Sequence, residues 1–179
     1  MAEIPEILSV VPVLDHRLNI EFGSGSLLDL DMRHCMRTNR YYNLNKPEVF
    51  RAVVTDGDKL IFVPDDVFTP DIFPREAVNM ALRKRYHDPI VFLQVQPLEN
   101  SCIRLEMATG SVLLLNLENH RRTNRYRVLQ NEELFRSVRA AGESLVFGTA
   151  EGGKTLRISE DELTHLMLSV PDQEEGLSE

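Results

Sequence analysis

A chain of 179 residues, 42% hydrophobic and 27% charged, is long enough for one larger domain or two small ones and has the composition of a globular protein. Its net charge of −8 at pH 7 disfavours non-specific nucleic-acid binding, because phosphates are repelled at long range, while leaving room for a local basic patch. No apolar run approaches the roughly eighteen residues that span a bilayer, and the acidic start Met1-Ala2-Glu3-Ile4-Pro5-Glu6 lacks the features of a secretion signal, so a cytoplasmic protein without a membrane segment is expected.

In chain order, the apolar stretch Ile7 to Val13 reads as a first strand. Leu18, Ile20 and Phe22 then alternate with Asn19 and Glu21, the period of a half-buried strand. Gly23-Ser24-Gly25 makes a turn in which Gly25 supplies positive φ, and the return strand buries Leu28 and Leu30. A basic segment follows, Arg33-His34-Cys35-Met36 and then Arg37-Thr38-Asn39-Arg40-Tyr41. Pro47 to Phe50 predicts a short helical turn and Lys59 to Val63 a strand. Pro74 opens a helix, with Ala77, Val78, Ala81 and Leu82 at helical spacing and Arg83-Lys84-Arg85 at its C-terminal end.

The same series then recurs. Ile90 to Val95 reads as a strand, Ile103, Leu105 and Met107 alternate with Arg104 and Glu106, Ala108-Thr109-Gly110 turns, and Leu113, Leu115 and Leu117 return. Asn131 to Val138 is the second helical turn and Ser144 to Phe147 its strand. Ser159-Glu160-Asp161-Glu162 is a capping start for a helix to about Leu168, and residues 171–179 read as an acidic, disordered tail.

Arg37-Thr38-Asn39-Arg40-Tyr41 returns unchanged as Arg122-Thr123-Asn124-Arg125-Tyr126, 85 positions later. The same offset aligns Val10 and Val95, Pro12 and Pro97, Glu21 and Glu106, Gly25-Ser26 and Gly110-Ser111, Leu44 and Leu129, Glu48 and Glu133, and Phe50-Arg51 and Phe135-Arg136. Gly57, Leu60 and Phe62 likewise meet Gly142, Leu145 and Phe147. About twenty of some fifty aligned positions are identical, where chance gives about three, so an internal duplication is expected. The units run over 7–73 and 89–169, with a linking helix at 74–88 and the tail at 170–179. The expected fold is α+β: two homologous, mostly antiparallel β units with short helices packed on one face, in a pseudo-two-fold arrangement.

The order of elements resembles the bacterial family known as domain of unknown function 2442, through Val10, Pro12, Leu18 to Phe22, Gly25, Leu28 to Leu30, Leu44, Phe50, Ile61-Phe62, Pro64-Asp65-Asp66 and Thr69-Pro70-Asp71. Phe62 and Phe147 stand where that family usually has tryptophan, and the second copy lacks the Pro-Asp ending. The resemblance implies the α+β fold and supplies no catalytic residue.

The repeated motif is the sharpest candidate site. Arg37, Asn39, Arg40, Tyr41, Arg122, Asn124, Arg125 and Tyr126 bring guanidinium forks and neutral hydrogen-bonding groups suited to an anion or to an acidic protein partner. A structural reading competes: the arginines pair with Glu21, Asp29, Asp31, Glu48 and their counterparts, tyrosine packs at the sheet edge and asparagine shapes a turn.

His16, His34, His87, His120 and His165 lack ligand spacing, Cys35 beside His34 has no matching pair in the second copy, and Glu151-Gly152-Gly153-Lys154, a hairpin turn between predicted strands, lacks the helix and the Ser or Thr of a phosphate loop. No metal, cofactor or catalytic residue is therefore assigned. The expectation is a non-enzymatic interaction module using paired arginine-rich loops, with direct nucleic-acid binding disfavoured. An enzyme with its site in the cleft between the units, or a structural subunit of a larger assembly, stand as alternatives.

Overall fold

The computed structural model describes residues 6–63, 68–148, 153 and 155–171. The expected turn at 151–154 (apart from Gly153), the Pro64-Asp65-Asp66 ending, the first five residues and the tail from 172 onward lie outside them. The fold is α+β, with antiparallel sheets and a few short helices.

Strands β1 (Ile7–Val13), β2 (Arg17–Phe22) and β3 (Leu27–Asp31) form an antiparallel meander, as do β6 (Phe92–Pro97), β7 (Cys102–Met107) and β8 (Val112–Asn116). The meanders join edge to edge through β3 and β8, giving one six-stranded sheet of order β1-β2-β3-β8-β7-β6. At the junction Leu27 faces Leu114, Leu28 faces Leu113 and Asp29 faces Val112. Leu28 and Leu113 are 85 positions apart, the offset of the sequence repeat.

Alternation decides what each face carries. Leu18, Ile20, Phe22, Leu28 and Leu30 are buried on one face, together with Ile103, Leu105, Met107, Leu113 and Leu115. Helices α2 (Pro74–Leu82) and α4 (Glu160–Leu168) cover that face, α2 against β3 and α4 against β8, and they also pack on one another. Ala77, Val78, Ala81 and Leu82 from α2 meet the same core as Leu163, Leu166 and Met167 from α4. Each large apolar side chain so buried contributes about 1.5–3 kcal/mol. The opposite face carries Arg17, Asn19, Glu21 and Asp29 from the first half, Arg104, Glu106 and Leu114 from the second, and the exposed Leu27.

The remaining elements are small. Helix α1 (Pro47–Phe50) precedes the hairpin β4 (Val53–Thr55) and β5 (Leu60–Phe62), and β4 runs beside β1. Helix α3 (Glu132–Arg136) precedes β9 (Arg139–Ala141), β10 (Ser144–Phe147) and β11 (Leu156–Ile158), a three-stranded sheet of order β11-β10-β9. Strands β4 and β9 have no counterpart in the sequence reading, whereas β11 stands where a strand is expected after the turn at 151–154.

The junction is bound reciprocally. Gly25 and Gly110 have φ of 84° and 92°, and a Cβ on Gly110 would lie 2.4 Å from Asp31 Oδ2, one on Gly25 3.0 Å from Asn116 Nδ2. Glycine is thus required for turn geometry and for close approach to the opposite half. The Ser111 hydroxyl accepts from the Asp31 backbone N–H at 2.9 Å, and the Ser26 hydroxyl accepts from the Asn116 N–H at 3.0 Å. Ser24 donates to the Met167 carbonyl in α4, and Thr109 donates to the Ala81 carbonyl in α2. The first three of these bonds cross from one half to the other, and the fourth ties the second half to the helix that follows the first.

Candidate functional site

Each motif copy follows the last strand of its meander. In the first, Cys35, Thr38, Tyr41 and Leu44 donate their backbone N–H groups to the carbonyls three residues before, producing successive tight turns. Thr38 Oγ1 donates to the Cys35 carbonyl, and Thr123 Oγ1 donates to the His120 carbonyl, both at 2.8 Å. Threonine, rather than asparagine, therefore closes these turns.

Arg40 donates through Nε and Nη2 to the Glu76 carboxylate at 3.0 and 3.1 Å and through Nη2 to the Asp71 carbonyl at 3.0 Å. Tyr41 donates its hydroxyl to the same Glu76 carboxylate. In the second copy Arg125 pairs with Glu162 and donates to the Arg157 carbonyl, and Tyr126 donates to Glu162. Each guanidinium also lies over its neighbouring tyrosine ring, 5.5 Å from the centroid in both copies. The partners in the two copies, Asp71 and Arg157 or Glu76 and Glu162, are 86 positions apart, so one residue has been inserted between the motif and the helix.

These contacts reinforce the ordinary protonation states in both copies. Hydrogen bonds donated to Glu76 and Glu162 hold the Arg40 and Arg125 guanidiniums above their usual range. Burial first, then the carboxylate partner in each copy, pushes the Tyr41 and Tyr126 phenols up. Burial alone would raise the Glu162 carboxyl, but hydrogen bonds from Arg125 and the Ser159 backbone outweigh it and hold the group below its ordinary value.

The partners are not the acids anticipated for the structural reading. Asp29 and Asp31 are engaged by Arg17, Asp31 also by Arg33, and Glu21 accepts from Ser9. Glu76 and Glu162 are both the third residue of their helix, where a carboxylate faces the unpaired N–H groups of the first turn. A glutamate at this position of both helices was the available signal, but in the sequence only Glu162 stands out, through its capping partner Ser159.

Within the motif the remaining side chains face outward. Arg37, Asn39, Arg122 and Asn124 are exposed, and among the described residues their side chains make no hydrogen bond or ion pair. The motif thus divides into an inward pair, a buried tyrosine and a half-exposed arginine bonded to the fold, and an outward pair, arginine and asparagine.

Other candidate groups are placed as follows. His120 is 4% exposed, its Nε2 has no partner among the described residues, and burial holds its ring below the usual pKa. Among the described residues neither ring nitrogen of His34 has a hydrogen-bond partner, and burial depresses the ring. Cys35 is buried against Met80, Sγ to Sδ 3.6 Å, and burial pushes its thiol up to about 12, away from nucleophilic behaviour. Both cysteines are free, and among the described residues no group of three or more histidines, cysteines or acids converges as a metal site. An open groove of about 990 Å³ lies at the β1–β2 turn, lined by residues between Pro12 and Arg51, all from the first half. Among the described residues no helix is long and apolar enough to cross a membrane.

Comparison of the chain with family models, with curated proteins and with solved structures finds no match in any of the three.

Proposed function

We propose that this chain is a duplicated interaction module, two related β units set about a pseudo-two-fold axis, and that the outward sides of its two motif copies contact an acidic protein partner. The observation that carries the reading is the division within the motif. Packing accounts for keeping threonine, the second arginine and tyrosine identical in both copies, since these close the turn and hold a helix. It does not account for Arg37 and Asn39 or Arg122 and Asn124, which bind nothing described in the fold and are nevertheless the same in both copies. Exposed guanidiniums beside amide groups suit carboxylates, and the net charge of −8 favours a protein ligand over a nucleic acid. The reciprocal bonds across the β3–β8 junction support the two-fold reading. Fusing two units fixes both contact surfaces in one molecule, so a bivalent partner gains effective concentration.

Affinity capture from lysate tests the module with two double variants. Arg37→Glu with Arg122→Glu is expected to keep the wild-type melting temperature and lose the partner. Arg40→Ala with Arg125→Ala is expected to lower the melting temperature, because it frees the helix starts. Retention of every captured partner by the first variant would rule out the motif as the contact surface.

A further inference from the structure

In the second half, the position equivalent to Cys35 holds His120. It opens a single 3-10 turn, His120–Arg122, that follows β8, and it is 4% exposed. Its ring meets Tyr126 edge to face, 6.2 Å between centres at 84°, and its Nε2 is buried without a hydrogen-bond partner among the described residues. The backbone of Leu166 and Ser169, at the end of α4, lies close to the ring. An imidazole in such a place is tolerated neutral, because a charge there would lose its hydration and gain no counter-charge.

The neighbouring charges decide what a proton on this ring would meet. Glu118, two residues earlier, is exposed and acts on the Cys102 thiol. In the turn itself Arg121 is drawn to Ser101 and over the Phe135 ring, and Arg122 is exposed. The next turn presents Tyr126. From α4 come His165 and, at the other end of the helix, Glu162, which is engaged by Arg125, Tyr126 and the Ser159 backbone. Burial disfavours a charged His120 and His165 adds to the effect, while the backbone of Ser169 and Leu166 offsets only part of it. The first half differs on both counts. Cys35 packs on Met80 of α2 and stays a neutral thiol throughout the range in which histidine titrates. Its neighbour His34 is also disfavoured as a cation by burial, but there the Asp31 carboxylate favours the charge, against Lys84.

We infer that His120 is an acid-sensitive seat for α4: the helix docks on the neutral ring, and a proton on that ring releases the end of α4 while α2 stays in place. Helix α4 covers β8 and carries Glu162. Its release therefore uncovers Leu166 and Met167 and frees Arg125 and Tyr126 from their inward anchor, in the second motif alone. The device needs no partner at the motif surface. Because the folded ring is held below its ordinary value of 6.5, the released chain binds the proton more readily. Docking is complete above that value and weakens as pH falls below it. Set against a released ring of ordinary value, the loss by about pH 5 reaches at most roughly thirtyfold.

Hydrogen exchange of the full chain, followed by mass spectrometry from about pH 7.5 to about pH 5 with labelling times scaled to the intrinsic rate, tests the seat. Peptides from α4 are expected to lose protection by about fivefold or more, and peptides from α2 by less. His120→Cys, which installs the first half's residue, is expected to bring the two helices to the same small loss. His120→Met makes the same comparison should the thiol leave the chain unfolded at neutral pH. His34→Asn, which installs the second half's residue, is expected to leave the α4 loss as it is in the wild type. An α2 loss equal to or larger than that of α4 in the wild type, or an α4 loss that persists in the folded His120 variant, overturns the inference. Stronger protection of α4 on acidification overturns it too, since the proton would then have found a counter-charge.

Discussion

Where the β3 and β8 meanders meet, the two halves perform the same backbone task with different chemistry. Asp31 and Asn116 both accept from the N–H two residues on, at 3.0 Å, and both sit against the glycine turn of the other half. Asn116 does this without charge. Asp31 does it as a carboxylate 2% exposed, held by Arg17 Nη1 at 3.1 Å and by Arg33. Arg17 in turn spends its other nitrogens on Asp29 at 2.9 Å and on the Gly110 carbonyl of the opposite half at 3.0 Å. The second half has Cys102 in place of Arg17 and Glu118 in place of Arg33. A neutral amide satisfies this corner by itself, whereas a buried carboxylate needs two guanidiniums to offset its lost hydration.

The largest way to break this comparison is Arg17→Ala. It strips Asp31 of its better-buried partner and removes a bond between the halves, and urea unfolding at neutral pH is expected to show a loss of about 3 kcal/mol, moderated because Arg33 remains. Adding Asp31→Asn to that variant reproduces the second half's solution and should recover a large part of the loss. Equal losses in the single and double variants would show that Arg17 acts through Asp29 and Gly110 instead.

Acid unfolding sharpens the same contrast. Burial pushes the Asp31 carboxyl up, but hydrogen bonds from the Arg33 side chain and backbone and the charges of Arg33 and Arg17 outweigh it, leaving the group below its ordinary value near 3.8. A depressed carboxyl binds its proton more readily in the unfolded chain. Its stabilising contribution is therefore present in full above the ordinary value and is lost as pH falls through the native one. The stability profile of Asp31→Asn should run flatter than that of the wild type in this acid range, with other carboxylates such as Glu162 contributing equally to both proteins. Parallel profiles would mean that Asp31 is not the ionised member of this corner.

Legibility in the sequence followed the same division between local and distant causes. Alternation located β2, β3, β7 and β8, because one face of each is fully buried and the period of two survives. Gly25 and Gly110 announced their turns, and Pro74 and Ser159 announced α2 and α4. Strands β4 and β9 escaped because three residues hold too little periodicity, and pairing with β5 or β10 is what makes them strands. The motif was found by identity alone, but its inward and outward sides could not be separated. Glu76 and Glu162 lie 36 and 37 residues beyond Arg40 and Arg125, and no local pattern ties them together. An offset of 85 through the strands also hides the shift to 86 at the helices, and with it the match of Phe73 to Ser159.

That last match supplies the smallest test of the comparison and the one with opposite signs in the two halves. Ser159 accepts from the Glu162 N–H, and Glu162 returns a bond to the Ser159 N–H, so two otherwise unpaired groups of α4 are satisfied. Ahead of α2, Pro74 removes one unpaired N–H by having none, but Phe73 offers the others nothing. Glu76 occupies the position of Glu162 yet, among the described residues, serves Arg40 and Tyr41 alone, without a capping partner. Ser159→Ala is expected to cost about 1 kcal/mol and Phe73→Ser to gain about as much, read as shifts of the melting temperature in opposite directions. A loss on Phe73→Ser would mean that the ring stabilises the fold through Lys59, 6.0 Å from its centre, and the exposed phenylalanine would then have a reason inside the molecule. A gain means that the first half forgoes about one capping interaction at the start of α2, and that Phe73 is not held there by helix stability.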